Sequence, residues 1–204
     1  MTDFLYDGPK TAETTIVLAH GAGAPMDSEF MNVIAAGLAD HGLRVARFEF
    51  PYMIKRRDDG KRRPPDRAPV LLQSYLDVAA ELGPENLIIG GKSMGGRIAS
   101  MVADEAGVAG LVCLGYPFHP PGKPDKLRTE HLAGLKTPAL ILQGERDPFG
   151  KREEVAGYTL SKSINVAFLP DGDHDLKPRK ASGRTCAENR AEAVDRIADF
   201  ARGL

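Results

Sequence analysis

The chain contains no tryptophan, and only 6% of its 204 residues are aromatic. That is little material for a large greasy pocket, so a long-chain lipase is not expected. Cysteine occurs twice, as Cys113 inside the apolar run LVCLG and as Cys186 ahead of a charged segment. No disulfide is expected, and a reducing compartment fits both thiols. With no CxxC or HExxH spacing in the chain, neither a metal nor another cofactor is expected. Apolar runs are strand-sized, short of the roughly 20 residues that cross a bilayer. The opening MTDFLYDGPK has neither the basic start nor the apolar stretch of a signal peptide. We therefore expect a cytoplasmic protein with no membrane partner. A formal net charge of -1 gives no reason to expect a nucleic-acid partner either.

What is present is an ordinary globular composition, 42% hydrophobic and 27% charged, in a length that suits one domain over residues 1–204. Short apolar runs at 15–19, 44–50, 86–90, 109–114, 139–143 and 165–169 read as strands, with a weaker opening strand near residues 4–6. Amphipathic segments lie between them. Phe30, Ile34 and Leu38 share one helical face, and further helices are expected over 69–82, after Ser93 through Met101 and Val102, and over 187–201. This alternation predicts an α/β fold with a mostly parallel central sheet of about six to seven strands and helices on both faces. The stretch KRRDDGKRRPPDR, residues 55–67, carries seven basic and three acidic residues and almost nothing apolar. It reads as an exposed loop on the side of the sheet where open α/β folds place ligands.

The chemistry gathers at the strand ends. Gly91-Lys92-Ser93-Met94-Gly95 matches G-x-S-x-G, with a strand before it and a helix after it. A sharp strand-to-helix turn forces such a serine into a strained conformation, and side chains on its flanks would collide with neighbouring backbone. By itself the motif also fits a glycine-rich turn with a solvated serine. Two later residues argue otherwise. Asp147 directly follows the run ALILQ, and His174 closely follows NVAFL, so a nucleophile, an acid and a base occur in the order Ser, Asp, His, each at the end of a strand. The loop His20-Gly21-Ala22-Gly23-Ala24 follows the first firm strand, and its small residues allow backbone N–H groups to approach a ligand. Ala22, with Gly23 as the alternative, and Met94 are the candidate oxyanion donors.

Competing residues have plainer readings. His20 precedes the serine and sits as a loop brace, His41 ends a helix, and His131 lies in a charged stretch and reads as a surface or loop-bracing residue. His119 follows a strand end and stays open as a pocket-lining residue. Asp125 and Asp173 are alternatives to Asp147, but neither directly follows a strand, and Asp173 reads as a turn residue. Lys92 and Arg97 read as packing or surface-pairing residues.

HGAGA, GGKSMGGR, LGYPFHPPGKPDKLRTEHL, LQGERDPFG and LPDGDHDLKP together resemble the small α/β-hydrolase proteins related to the testis-expressed hydrolase-like proteins. More distantly they resemble a hydrolase-like subunit of a histone acetyltransferase complex. The resemblance covers roughly residues 14–202 and implies an α/β-hydrolase fold with Ser93, Asp147 and His174 as its triad, in a short chain without a lid domain. It names no substrate. A complete triad with both oxyanion elements points to a serine hydrolase acting on a small-molecule acyl ester or thioester. An acyltransferase with the same residues and a catalytically idle scaffold are the alternatives. If Lys55, Arg56, Arg57, Lys61, Arg62 or Arg63 borders the pocket, an anionic substrate is favoured; otherwise the stretch is a solvated surface.

Overall fold

The computed structural model describes residues 2–204. Its strands are β1 (Leu5–Asp7), β2 (Thr15–Ala19), β3 (Arg44–Phe48), β4 (Leu87–Lys92), β5 (Gly110–Leu114), β6 (Ala139–Gly144) and β7 (Ile164–Leu169). They form one sheet in the order β1-β3-β2-β4-β5-β6-β7. Every neighbouring pair is parallel except β1, which runs antiparallel along β3.

Helices α1 (Glu29–Asp40) and α6 (Cys186–Arg202) cover one face, where Ile34, Leu38, Val194 and Ile197 meet Ile16, Leu18, Val112 and Leu142. On the other face α3 (Ala68–Leu82) and α4 (Met94–Ala106) bring Tyr75, Val78, Ile98 and Val102 against Val17, Ile89, Leu111 and Ile141. Successive residues of β2 thus enter opposite cores, and both must be apolar. This explains why the inner strands read as continuous apolar runs and not as alternating ones. Thr185 starts α6 with a reciprocal cap: its hydroxyl accepts from the N–H of Glu188, whose carboxylate accepts from the N–H of Thr185.

The basic stretch departs from expectation. Residues 55–59 are not loop but the second half of a helix, α2 (Pro51–Asp59), and only 60–67 are irregular. Its anchor lies just upstream of the charges. Pro51 suits a first helical turn, Tyr52 and Met53 are buried, and Gly60 ends the helix at φ 68. Two of the seven basic residues form ion pairs: Arg57 meets Glu49 and Asp27 at 2.6 Å each, and Arg63 meets Asp59. Among the described residues no helix is long and apolar enough to cross a membrane.

One buried side chain ties α3 to the central strand. The Tyr75 hydroxyl donates to the carbonyl of Gly90 at 2.5 Å and accepts from its N–H at 2.9 Å, with no exposure to solvent. Burial raises the Tyr75 phenol far above its ordinary value. Tyr75→Phe removes the partner of both Gly90 groups in a dry interior, and a loss of about 1–3 kcal/mol is expected in urea unfolding. A loss well under half of that would mean that Gly90 finds other partners.

Candidate active site

The chain runs from β2 outward to β3 and then returns to β4 on the other side of β2, so its direction of travel across the sheet reverses between β2 and β4. Open α/β sheets form a crevice at such a point, beyond the carboxyl ends of the strands. The register places Ala19 opposite Gly91, so the loops leaving β2 and β4 emerge at the same level. These are HGAGA and the turn that carries Ser93.

Ser93 has φ 51 and ψ −112, a conformation disfavoured for any residue with a side chain. Its flanking glycines are there for space. A Cβ on Gly91 would lie 2.2 Å from the carbonyl oxygen of Ala19, and one on Gly95 would lie 2.4 Å from the same atom. The turn therefore holds as the sequence predicts, with the Ser93 N–H donating to the carbonyl of Leu114 at 2.9 Å.

Two distant loops meet the serine. His174 Nε2 lies 2.9 Å from Ser93 Oγ, and His174 Nδ1 lies 2.8 Å from Asp147 Oδ2. Asp147 is fully buried, whereas the His174 side chain remains 22% exposed. Three further groups hold this arrangement. Gln143 Nε2 donates to Asp147 Oδ2 at 3.0 Å, the Phe149 N–H donates to Asp147 Oδ1 at 2.9 Å, and the Phe149 ring lies 4.3 Å from the His174 ring. A buried carboxylate that accepts from two donors and an imidazole N–H keeps the ring oriented. That arrangement leaves Nε2 as the acceptor facing the serine hydroxyl.

The loop holding His174 is fixed from below. Asn189 of α6 donates to the carbonyls of Pro170 and Leu176, and Asp173 Oδ1 accepts from the N–H groups of Asp175 and Lys177. Asp173 is thus a turn residue, as expected. Lys92 is nine-tenths buried beside it, with Nζ 2.6 Å from the carbonyl of His174 and 3.2 Å from Asp175. Burial lowers its pKa, opposed by Asp175 and Asp147. Lys92 therefore packs and pairs beneath the site.

His20 is buried and neutral, its pKa lowered chiefly by desolvation. Its Nδ1 lies 2.7 Å from the carbonyl of Gly21, and its Nε2 accepts from the N–H of Phe50, so it braces the loop. Tyr52 and Arg56 donate to the carbonyls of Ala22 and Gly23. With these carbonyls tied back, no hydrogen bond among the described residues takes the N–H of Ala22 or Met94. Both residues line the same cleft as Ser93, a cavity of about 430 Å³ whose other walls include Leu71, Ile98, Pro117 and Phe149.

Several expectations change here. His119 does not line the cleft; it is buried, with Nδ1 near the carbonyl of Pro120 and Nε2 3.5 Å from Glu154. Arg97 is not a surface-pairing residue but a wall of the cleft, joined by Arg128. Of the basic stretch only Pro65 and Asp66 reach it, and none of its lysines and arginines through Arg63 does. His131 lies 2.9 Å from Ser100, a second serine–histidine contact, but Ser100 is on the buried face of α4 and does not line the cleft. Asp125 sits in an exposed turn away from these groups. Sequence reading missed Gln143 and Arg128. Arg97 was legible in principle, because a residue four positions after Ser93 on a helix falls on the same face. Among the described residues no group of three or more His, Cys, Asp or Glu could hold a metal ion.

The comparisons agree with this architecture. The family model described as Alpha/beta hydrolase domain matches residues 12–202. Among solved structures, a lidless a/b serine hydrolase from Xanthomonas campestris superposes with a TM-score of 0.70 at 19% identity, covering 96% of this chain and 88% of that one. An alpha-beta serine hydrolase homologue from Coxiella burnetii gives 0.69 at 21%, covering 95% and 90%. An esterase domain from Rhodothermus marinus gives 0.69 at 16%, covering 97% and 91%. At these identities the likeness is one of fold.

The contact from Lys92 can be tested apart from any activity. Lys92→Met is expected to raise amide hydrogen exchange across residues 171–177 by about tenfold, the effect of losing one charge-assisted hydrogen bond under a loop. Exchange unchanged within twofold would remove Lys92 from that role.

Proposed function

The chain belongs to the alpha/beta hydrolase domain family, and we propose that it is a serine hydrolase cleaving small acyl esters or thioesters through an acyl-serine intermediate. The observation that carries the reading is the unbroken chain Ser93 Oγ, His174 Nε2, His174 Nδ1, Asp147 Oδ2, with contacts of 2.9 and 2.8 Å. The finer likeness to testis-expressed hydrolase-like proteins belongs to the same proposal and rests on the motifs alone.

In this mechanism His174 Nε2 takes the Ser93 proton as Oγ attacks the acyl carbon. The carbonyl π electrons move onto oxygen, where the N–H groups of Met94 and Ala22 receive the charge. Each such donor contributes about 3–4 kcal/mol in comparable sites. The imidazolium then protonates the departing alkoxide or thiolate as the tetrahedral species collapses. Water enters, His174 takes its proton, and the second collapse frees the acid and returns the proton to Ser93. Asp147, held by Gln143 and the Phe149 N–H, fixes the imidazole tautomer and orientation.

A cleft of about 430 Å³ lies within the usual range for small-molecule sites. Its walls are mostly apolar, which supports a compact ester over a long lipid.

Hydrolysis of 4-nitrophenyl butyrate tests the reading, together with fluorophosphonate labelling and mass spectrometry of the modified peptide. Ser93→Ala is expected to abolish labelling and to lower kcat by at least roughly 10³, and Asp147→Asn by about 10⁴ through loss of the tautomer. Equal activity in the wild type and Ser93→Ala, with no label at Ser93, would overturn it. Transfer of the acyl group to an added alcohol faster than to water would reassign the step as acyl transfer.

A further inference from the structure

Arginines in this chain generally meet a carboxylate. Arg47, Arg57, Arg63, Arg179 and Arg190 each do so within 2.7 Å. Arg97 and Arg128, the two that line the cleft, form no ion pair among the described residues. Each is held by its backbone. The Arg97 N–H donates to the carbonyl of Ser93 at 3.0 Å, while Arg128 donates its N–H to Phe118 and accepts the Tyr116 hydroxyl on its carbonyl. Arg97 Nε is out of contact with solvent and has no partner. Both guanidinium groups line the same cleft, and the Arg128 pKa is lowered, first by burial and then by the charge of Arg97.

An unpartnered buried donor and two close like charges are costly in a free protein. A ligand anion relieves both costs at once. Guanidinium forks suit a carboxylate or phosphate alike, through paired charge-assisted bonds. The charge of the cleft separates these two. Its third ionisable wall is Asp66, whose Oδ2 is buried and also unpartnered, so the lining carries two positive charges and one negative. A net single positive charge matches a monoanionic carboxylate better than a phosphate dianion. The Arg97 N–H closes the first turn of α4 on the Ser93 carbonyl at 3.0 Å, so Arg97 stands one turn along α4 from the serine. The apolar walls Met94, Ile98 and Pro117 lie in the same cleft.

We propose that the natural substrate is an ester or thioester bearing a carboxylate, with an apolar segment between it and the scissile carbonyl, and that Arg97 and Arg128 bind this carboxylate and set specificity. This rests on the serine hydrolase reading and adds a substrate class to it.

Two matched ester pairs test it. Mono-4-nitrophenyl adipate against 4-nitrophenyl hexanoate places the charge on the acyl side. Against them, 4-acetoxybenzoate and its methyl ester place or remove it on the leaving group. The wild type is expected to show a higher kcat/KM for the anionic member of one pair. In Arg97→Gln and in Arg128→Gln the anionic-to-neutral ratio should fall by about tenfold or more, mainly through KM, as expected for a lost charge-assisted contact. Arg97→Lys should restore part of the ratio. Arg62→Gln removes a charge from the stretch outside the cleft and should leave the ratio within twofold. Thermal melts establish that each variant is folded. No anionic preference in either pair, a ratio insensitive to both cleft substitutions, or an equal fall in Arg62→Gln overturns the proposal. Ser93→Ala on the neutral hexanoate reads the underlying hydrolase assignment separately: if that ester is hydrolysed and the ratio is flat, only the carboxylate proposal fails.

Discussion

The carbonyl oxygen of Ala19 presses on the Ser93 turn from the neighbouring strand, and most of the molecule follows from that contact. It leaves no room for a Cβ at Gly91 or Gly95, and it fixes how closely the start of α4 can approach the end of β2. Ser93 is then held at a positive φ that costs on the order of 1–3 kcal/mol. Such strain persists only where the surroundings over-determine it. Here they do so on both sides of the sheet: Tyr75 grips Gly90 from α3, the Leu114 carbonyl holds the Ser93 N–H from β5, and the two apolar cores fix β2 and β4 in register.

The same sheet register sets the distances among residues that are far apart in the chain. Ser93 follows β4, Asp147 follows β6 and His174 follows β7, and β6 meets β7 with Gly144 opposite Leu169. Three loops of fixed length then leave the sheet on one side, and their side chains come within hydrogen-bonding distance without any large loop having to close. The rigidity is local as well. Asn189, Lys92 and Asp173 hold the His174 turn by its carbonyls and N–H groups, so the imidazole is positioned by backbone and not only by Asp147.

The strands and the site were legible for different reasons. Strands buried on both faces leave continuous apolar runs, and residues 15–19, 109–114 and 165–169 matched the observed elements to within a residue at each end. The three site positions were legible because each chemistry-bearing residue closely follows such a run. What stayed hidden depended on side-chain direction. Residues 55–59 looked like loop because their composition is charged, while the anchor of that helix, Tyr52 and Met53, lies just before them. Arg97, read as packing or surface pairing, reaches the cleft from the α4 face beside Ser93, and His119, which the sequence left open, turns into the protein against Pro120. Arg128 carried no sequence signal, since its position depends on how residues 115–138 fold back between β5 and β6.

That connection also bears on how the site discriminates. In it only a single short 3-10 turn, Glu130–Gly134, interrupts irregular chain, and the cleft it helps to line is small. A small cleft with few aromatic walls offers limited apolar contact to a substrate, so binding energy from shape alone is modest. Discrimination must then come from the few polar groups that face the cleft without protein partners. In this chain those are the oxyanion N–H groups, which any ester carbonyl can engage, and the ionisable walls, which only some esters can. On the proposed reading, the acyl chemistry and the choice of substrate are therefore carried by different residues around one cleft.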